Sequence, residues 1–81
     1  MKNFRLQILT PDRSVFDGEV SSLNFPSADG WLGVLADHAP LMAVAGHGQM
    51  TAKLPDKQVF SLILTGGILK LKNNLAQLFI G

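Results

Sequence analysis

Asp29 to Leu41 reads DGWLGVLADHAPL, a turn pair followed by a short apolar run and a stiffened loop. Gly30 accepts a backbone conformation closed to other residues, so Asp29-Gly30 reads as a turn. Trp31 to Leu35 is rich in residues that suit an extended, half-buried surface, and Pro40 both fixes its own φ and pushes Ala39 toward an extended conformation. Turn, strand, rigid loop is the unit from which the rest of the chain is built.

Working outward, Gly and Pro recur about every eight to twelve residues, and the intervening segments are rich in Val, Ile, Leu, Phe and Thr. Phe4, Leu6, Ile8 and Thr10 alternate with Arg5, Gln7 and Leu9, which predicts a first strand closed by Pro11-Asp12. Ser14 to Phe25 also alternates, with Gly18 predicting a bulge or tight bend. Further strands are predicted at Trp31 to Leu35, Leu41 to Ala45, Gln49 to Leu54, Gln58 to Thr65, Ile68 to Lys72 and Leu75 to Ile80. Pro55-Asp56 and Asn73-Asn74 read as hairpin turns, and Gly66-Gly67 as a break. The fold class is therefore all-β, a small sandwich or flattened barrel of two antiparallel sheets with about eight to ten short strands. At 81 residues the chain is one domain, 1–81.

Composition excludes several functions. Seven Lys+Arg balance six Asp+Glu without a run of either sign, so no electrostatic footprint for nucleic acid or anionic lipid is present. No stretch approaches the roughly 18 apolar residues of a spanning helix, and the N-terminus is too polar for a secretory signal. These features predict a soluble, cytoplasmic chain. Charged residues make up only 16% where about 25% is usual, which leaves apolar surface for a partner. Both faces of two late strands are apolar: Phe60, Leu62 and Leu64 lie opposite Val59 and Ile63, and Leu75 and Phe79 lie opposite Ala76, Leu78 and Ile80. Such faces are covered either by the rest of the sandwich or by another protein.

No catalytic constellation is legible. A nucleophile elbow is missing, and Asp37 and His38 point apart as neighbours in an extended segment. The two histidines, His38 and His47, lack metal-ligand spacing, and Glu19 is the sole Glu. Gly46-His47-Gly48 and Gly66-Gly67 do not stand between a strand and a helix start, as a phosphate loop would. No catalytic residue, cofactor or metal ligand is expected.

Taken together, Thr10-Pro11, VFDGEVSSL (Val15 to Leu23), Pro26, Asp29-Gly30, Gly33-Val34-Leu35, His38-Ala39-Pro40-Leu41, Gly48, Gly66-Gly67-Ile68-Leu69 and Asn73-Asn74 resemble the epsilon subunit of rotary ATP synthases. DGxxGVLxxHAPL is the most specific piece. The resemblance implies the N-terminal domain of that subunit, a ten-stranded sandwich of two five-stranded sheets. It further implies a non-catalytic central-stalk role in a proton- or sodium-translocating ATP synthase, with the gamma subunit and the membrane rotor ring as partners. The chain would then meet the inner membrane only indirectly, through the complex. Carried over by position, Thr10, Trp31 and His38 are implied to face the rotor ring, and Met42, Ile63 and Leu78 the gamma subunit. Trp31 departs from the acidic or small polar residue usual there, and Ala36-Asp37 from a Pro-Gly-like pair. The chain stops at Gly81, so the C-terminal helical hairpin of the family is expected to be absent.

Two other functions fit an all-β chain of this length. One is a lipoyl- or biotinyl-type carrier presenting Lys57 in the predicted turn, although Pro55 and Gln58 do not match the carrier pattern. The other is a free-standing small-ligand sandwich, which needs a pocket of converging polar groups.

Overall fold

A computed structural model describes residues 2–81. Nine strands follow in order: β1 (Phe4–Leu9), β2 (Ser14–Val20), β3 (Ser22–Ser27), β4 (Gly30–Leu35), β5 (Leu41–Val44), β6 (Gly48–Lys53), β7 (Val59–Leu64), β8 (Ile68–Lys72) and β9 (Leu75–Phe79). They form a five-stranded sheet of order β2-β1-β9-β8-β5 and a four-stranded sheet of order β4-β3-β6-β7. The two sheets pack face to face, which is the expected all-β sandwich; the second sheet holds four strands where the resemblance implied five.

Alternation along each strand builds the core. Phe4, Leu6 and Ile8 of β1 meet Ala76 and Leu78 of β9 and Leu69 and Leu71 of β8, all buried. Leu23, Phe25, Val34, Met50, Ala52 and Leu64 close the core from the four-stranded sheet. The pairing of β1 with β9 is parallel, an exception to the antiparallel arrangement expected. It arises because the chain returns to its starting edge only after every other strand has been laid down, and short hairpins cannot make a parallel neighbour.

That pairing corrects one site expectation. Leu78 stands opposite Ile8 and is fully buried, so it is core and cannot meet a partner. The outward positions of β9 are Leu75, Gln77 and Phe79, with Phe79 exposed.

Ser14 to Phe25 is two strands and not one. At buried Ser21 the chain leaves one sheet for the other, held by the Ser21 N–H and hydroxyl donating to the Lys53 carbonyl at 2.7 and 3.2 Å. Inward parity slips there, from Val20 to Leu23 and Phe25. Gly18 pairs regularly with Leu6 and forms no bulge; the irregularity falls instead between Ile8 and Leu9. A Cβ at Gly18 would meet the Phe16 ring at 3.4 Å, an ordinary van der Waals contact. Phe16 in turn stacks at 4.7 Å on Phe60 and ties β2 to β7.

The turns obey local chemistry. Asn73 and Asn74 both take positive φ, 52° and 59°, in a two-residue hairpin, the conformation whose twist matches the flanking strands. Gly67, at φ 134°, is required twice over, because a Cβ would also stand 2.6 Å from the Phe79 carbonyl oxygen. Gly67→Ala should therefore lower the free energy of unfolding by about 2 kcal/mol or more in urea titration, with an unchanged denaturant slope.

Candidate functional site

Strand direction divides the sandwich into two ends. One end gathers the β1–β2, β3–β4, β5–β6 and β7–β8 connections and the C-terminus; the other gathers the β2–β3, β4–β5, β6–β7 and β8–β9 connections. Six-residue strands separate the ends by roughly 20 Å. Thr10 and Trp31 lie at the first end, whereas His38 lies at the second, in the β4–β5 loop. The three residues implied to face the rotor ring are thus not brought together. The reason is topological: β4 runs the length of the sandwich between Trp31 and His38.

Each of the three also has local partners. Thr10 Oγ1 accepts from the Asp12 and Arg13 N–H groups at 3.3 and 3.1 Å and donates to the Arg13 carbonyl at 3.2 Å, so its hydroxyl holds its own turn. Trp31 is 62% exposed, pairs with Pro26, and lies across the space above Gly48, where a Cβ would be 3.6 Å from its ring. His38 is half-buried, and its Nδ1 sits 2.7 Å from the Ala39 carbonyl, to which it donates. That bond ties the His38 ring to its own loop.

Beside His38, Asp37 is the knot of the second end. It takes φ 65°, its N–H donates to Asn74 Oδ1 at 2.6 Å, and its carboxylate accepts from Asn74 Nδ2 at 3.0 Å and Lys2 Nζ at 2.8 Å. The N-terminal segment, the β4–β5 loop and the β8–β9 turn are stitched through this one side chain. In the sequence Asp37 stood out only as half of the Ala36-Asp37 pair found where a Pro-Gly-like pair is usual; Asp is a short polar residue of the type that tolerates a left-handed backbone.

The outer faces of the sheets carry the unclaimed apolar surface. On the five-stranded sheet, Val44 stands beside Ile68, Ile68 beside Phe79 and Phe79 beside Leu9, an apolar row across four strands near the Thr10 end. Met42, 71% exposed, lies one row below, next to Lys70, Gln77 and Gln7. On the four-stranded sheet, Leu35 and Val59 rise at either side of a trough of about 520 Å³ floored by Ser22, Asn24, Gly33 and Thr51. Ile63, 74% exposed, lies on this same sheet. Met42 and Ile63 therefore occupy opposite faces of the sandwich. They cannot belong to one flat contact, and neither lies beside the buried Leu78.

Among the described residues no group of three or more acidic, His or Cys side chains is close enough to hold a metal ion, and no helix is long and apolar enough to cross a membrane. Arg5 and Asp17 form a bidentate pair at 2.8 Å, which lowers the Asp17 carboxyl below its usual range. Asp37 is lowered as well, by the hydrogen bonds from Lys2 and then Asn74. A carboxyl lowered on folding stabilises the fold above its unfolded value of 3.8, and that contribution is lost as pH falls through the lower folded value. Asp37→Asn should accordingly flatten the dependence of unfolding midpoint on pH below about 4, measured by thermal melts. The flattening should be small, since the pair is exposed to solvent.

Residues 3–80 match the family described as ATP synthase, Delta/Epsilon chain, beta-sandwich domain. An ATP synthase epsilon chain of Chlorobium limicola is 38% identical over 75 residues, which cover 93% of this chain and 85% of that one. Another from Rippkaea orientalis is 37% identical over 76 residues, 94% of this chain but 55% of its own. The chain spans about half the length of most such relatives. A chain in the Euglena gracilis mitochondrial ATP synthase, described with OSCP, F1 and c-ring, superposes with a TM-score of 0.88 over 95% of this chain and 49% of that one, at 15% identity, which shows the shared fold. That family is a structural and regulatory component of a membrane-associated complex and not its catalytic part. On this match, the chain belongs to the beta-sandwich domain family of ATP synthase delta/epsilon chains.

Proposed function

We propose that this domain is a non-catalytic central-stalk element of a proton- or sodium-translocating ATP synthase, seated between a gamma-type subunit and the membrane rotor ring and coupling ion flow to ATP synthesis. It would reach the cytoplasmic side of the inner membrane only through that complex. Family membership over nearly the whole chain supports this reading, as does the Tetrahymena thermophila neighbour, described as central stalk and c-ring, with a TM-score of 0.76. The observation that carries it is the apolar row Val44, Ile68 and Phe79 with Met42 beneath, a continuous patch that the domain itself leaves wet.

The gamma-type subunit is assigned to this patch, with Phe79 taking the place first given to Leu78. The end bearing Thr10 and Trp31 is assigned to the ring. Apolar side chains at the centre of such a contact commonly contribute 1.4 kcal/mol or more, about a tenfold change in affinity. Phe79→Asp should weaken capture of the cognate gamma-type subunit by at least about tenfold, with the far-ultraviolet spectrum retained. Ile63→Asp, on the opposite face, should leave capture unchanged. An equal loss with Ile63→Asp alone would move the site to the other sheet, and no capture by the unsubstituted chain would remove the stalk reading altogether.

Trp31 is the sole tryptophan, which makes it a reporter for the ring-facing end. Adding detergent-solubilised rotor ring should shift its emission to shorter wavelength as the indole leaves water; unaltered emission on a bound complex would place the ring elsewhere.

A further inference from the structure

The carboxylates of the chain are spread unevenly over the sandwich. Asp12, Asp29 and Asp56 stand in turns, Asp37 holds Lys2, and Asp17 and Glu19 lie on β2, so β5, β8 and β9 carry no acid. β8 nevertheless presents Lys70 and Lys72 on the outer face of the five-stranded sheet, both exposed. Two residues apart on one strand, they stand about 7 Å from each other. Among the described residues the ion pairs are Lys2–Asp37 and Arg5–Asp17, and neither involves these lysines.

Neighbouring strands leave the pair unneutralised. In register, Lys70 stands between Met42 and Gln77, and Lys72 stands beside Leu75. Gln77 Nε2 donates to Gln7 Oε1 at 3.0 Å, and beyond Gln7 the Asp17 carboxylate is already held by Arg5. Asp17 is three strand spacings from Lys70, about 14 Å. Physiological salt screens exposed charges at that range, because the Debye length is about 8 Å.

The place of the pair gives it a consequence. Ile68 of the apolar row lies two residues from Lys70 on the same face, and Met42 lies directly across from it, so Lys70 stands inside the outline of the apolar patch. A protein that covers Met42, Ile68 and Phe79 therefore strips water from Lys70 as well. An ammonium buried without a counter-charge is strongly unfavourable, whereas a paired one is tolerated. Lys53, on the outer face of the other sheet, differs: it is single and borders the trough floored by Ser22, Asn24 and Thr51.

We infer that the surface apposed to this patch is acidic, the gamma-type partner bringing two carboxylates into ion pairs with Lys70 and Lys72. This rests on the assignment of that partner to the outer face of the five-stranded sheet, and adds the chemistry by which it is chosen. Room for the carboxylates exists in a hollow of about 360 Å³ lined by both lysines, Asn73, Leu75 and Gln77. The apolar row supplies contact area, and the lysine pair fixes register and choice of partner, since a basic surface set against it would be repelled.

Capture of the cognate gamma-type subunit by the chain, titrated over a range of salt concentrations, tests this. Affinity should fall as salt rises. Lys70→Gln combined with Lys72→Gln should weaken capture by at least about tenfold at low salt and flatten the salt dependence. Lys70→Arg combined with Lys72→Arg keeps the charge and should preserve both, and Lys53→Gln on the other sheet should alter neither. Full affinity in the double Gln variant, with capture still weakened by Phe79→Asp, would leave the partner on the patch and overturn the acidic surface. No capture by the unsubstituted chain would remove the stalk reading and the acidic surface together. Lysine-dependent binding to phosphatidylglycerol vesicles, with gamma-type capture indifferent to the lysines, would assign the pair to anionic lipid and overturn the pairing with carboxylates.

Discussion

The parallel pairing of β1 with β9 is the constraint on which the sandwich depends. It brings Leu6 against Ala76 and Ile8 against Leu78, the first strand against the last, in the middle of the five-stranded sheet. Every other pairing is antiparallel, and four are closed by short turns whose residues choose their own geometry. This one has no local turn to guide it and bears the loop-closure entropy of nearly the whole chain. Burial offsets that cost: Leu6, Ile8, Ala76 and Leu78 are all fully removed from water. Contacts so distant in sequence place the domain among slow-folding topologies.

The same pairing decides what is left outside. With Leu78 drawn onto Ile8, Phe79 is turned outward beside Leu9 and Ile68, and the apolar row of the outer face follows. A domain this small cannot bury a large fraction of its apolar residues, and here the surplus is not scattered. It lies in a row on one sheet and along an open edge of the other. A subunit that works inside an assembly uses such surface for its contacts, and the low charge content is the compositional trace of it.

Much of this was legible beforehand. Alternation located all nine strands to within a residue or two, except that Ser14 to Phe25 was taken as one piece. Alternation describes faces, and a chain that steps from one sheet to the other at Ser21 keeps an alternating pattern on both sides of the step. Asn73-Asn74, Pro55-Asp56 and Gly66-Gly67 were legible as turns because the residues themselves dictate φ or refuse a hydrogen bond. Site residues fared differently. Met42, Ile63 and Trp31 are exposed as a docking residue must be, yet they sit on different faces or ends, and His38 is separated from Thr10 by the length of the sandwich.

What the sequence determined by itself was local: where strands begin and end, which turns close them, and which two sets of residues share a face along each strand. It also bore the family resemblance, because turn residues at set spacing leave a pattern that survives in one dimension. Which of the two faces is inside was decided only by tertiary structure. For β9 both faces are apolar, so periodicity could not choose between Leu78 and Phe79; the partner strand β1 chose, through a contact seventy positions away in the chain. Hydrophobicity measures the tendency of a side chain to leave water, and the three-dimensional packing alone assigns which side chains can leave it together.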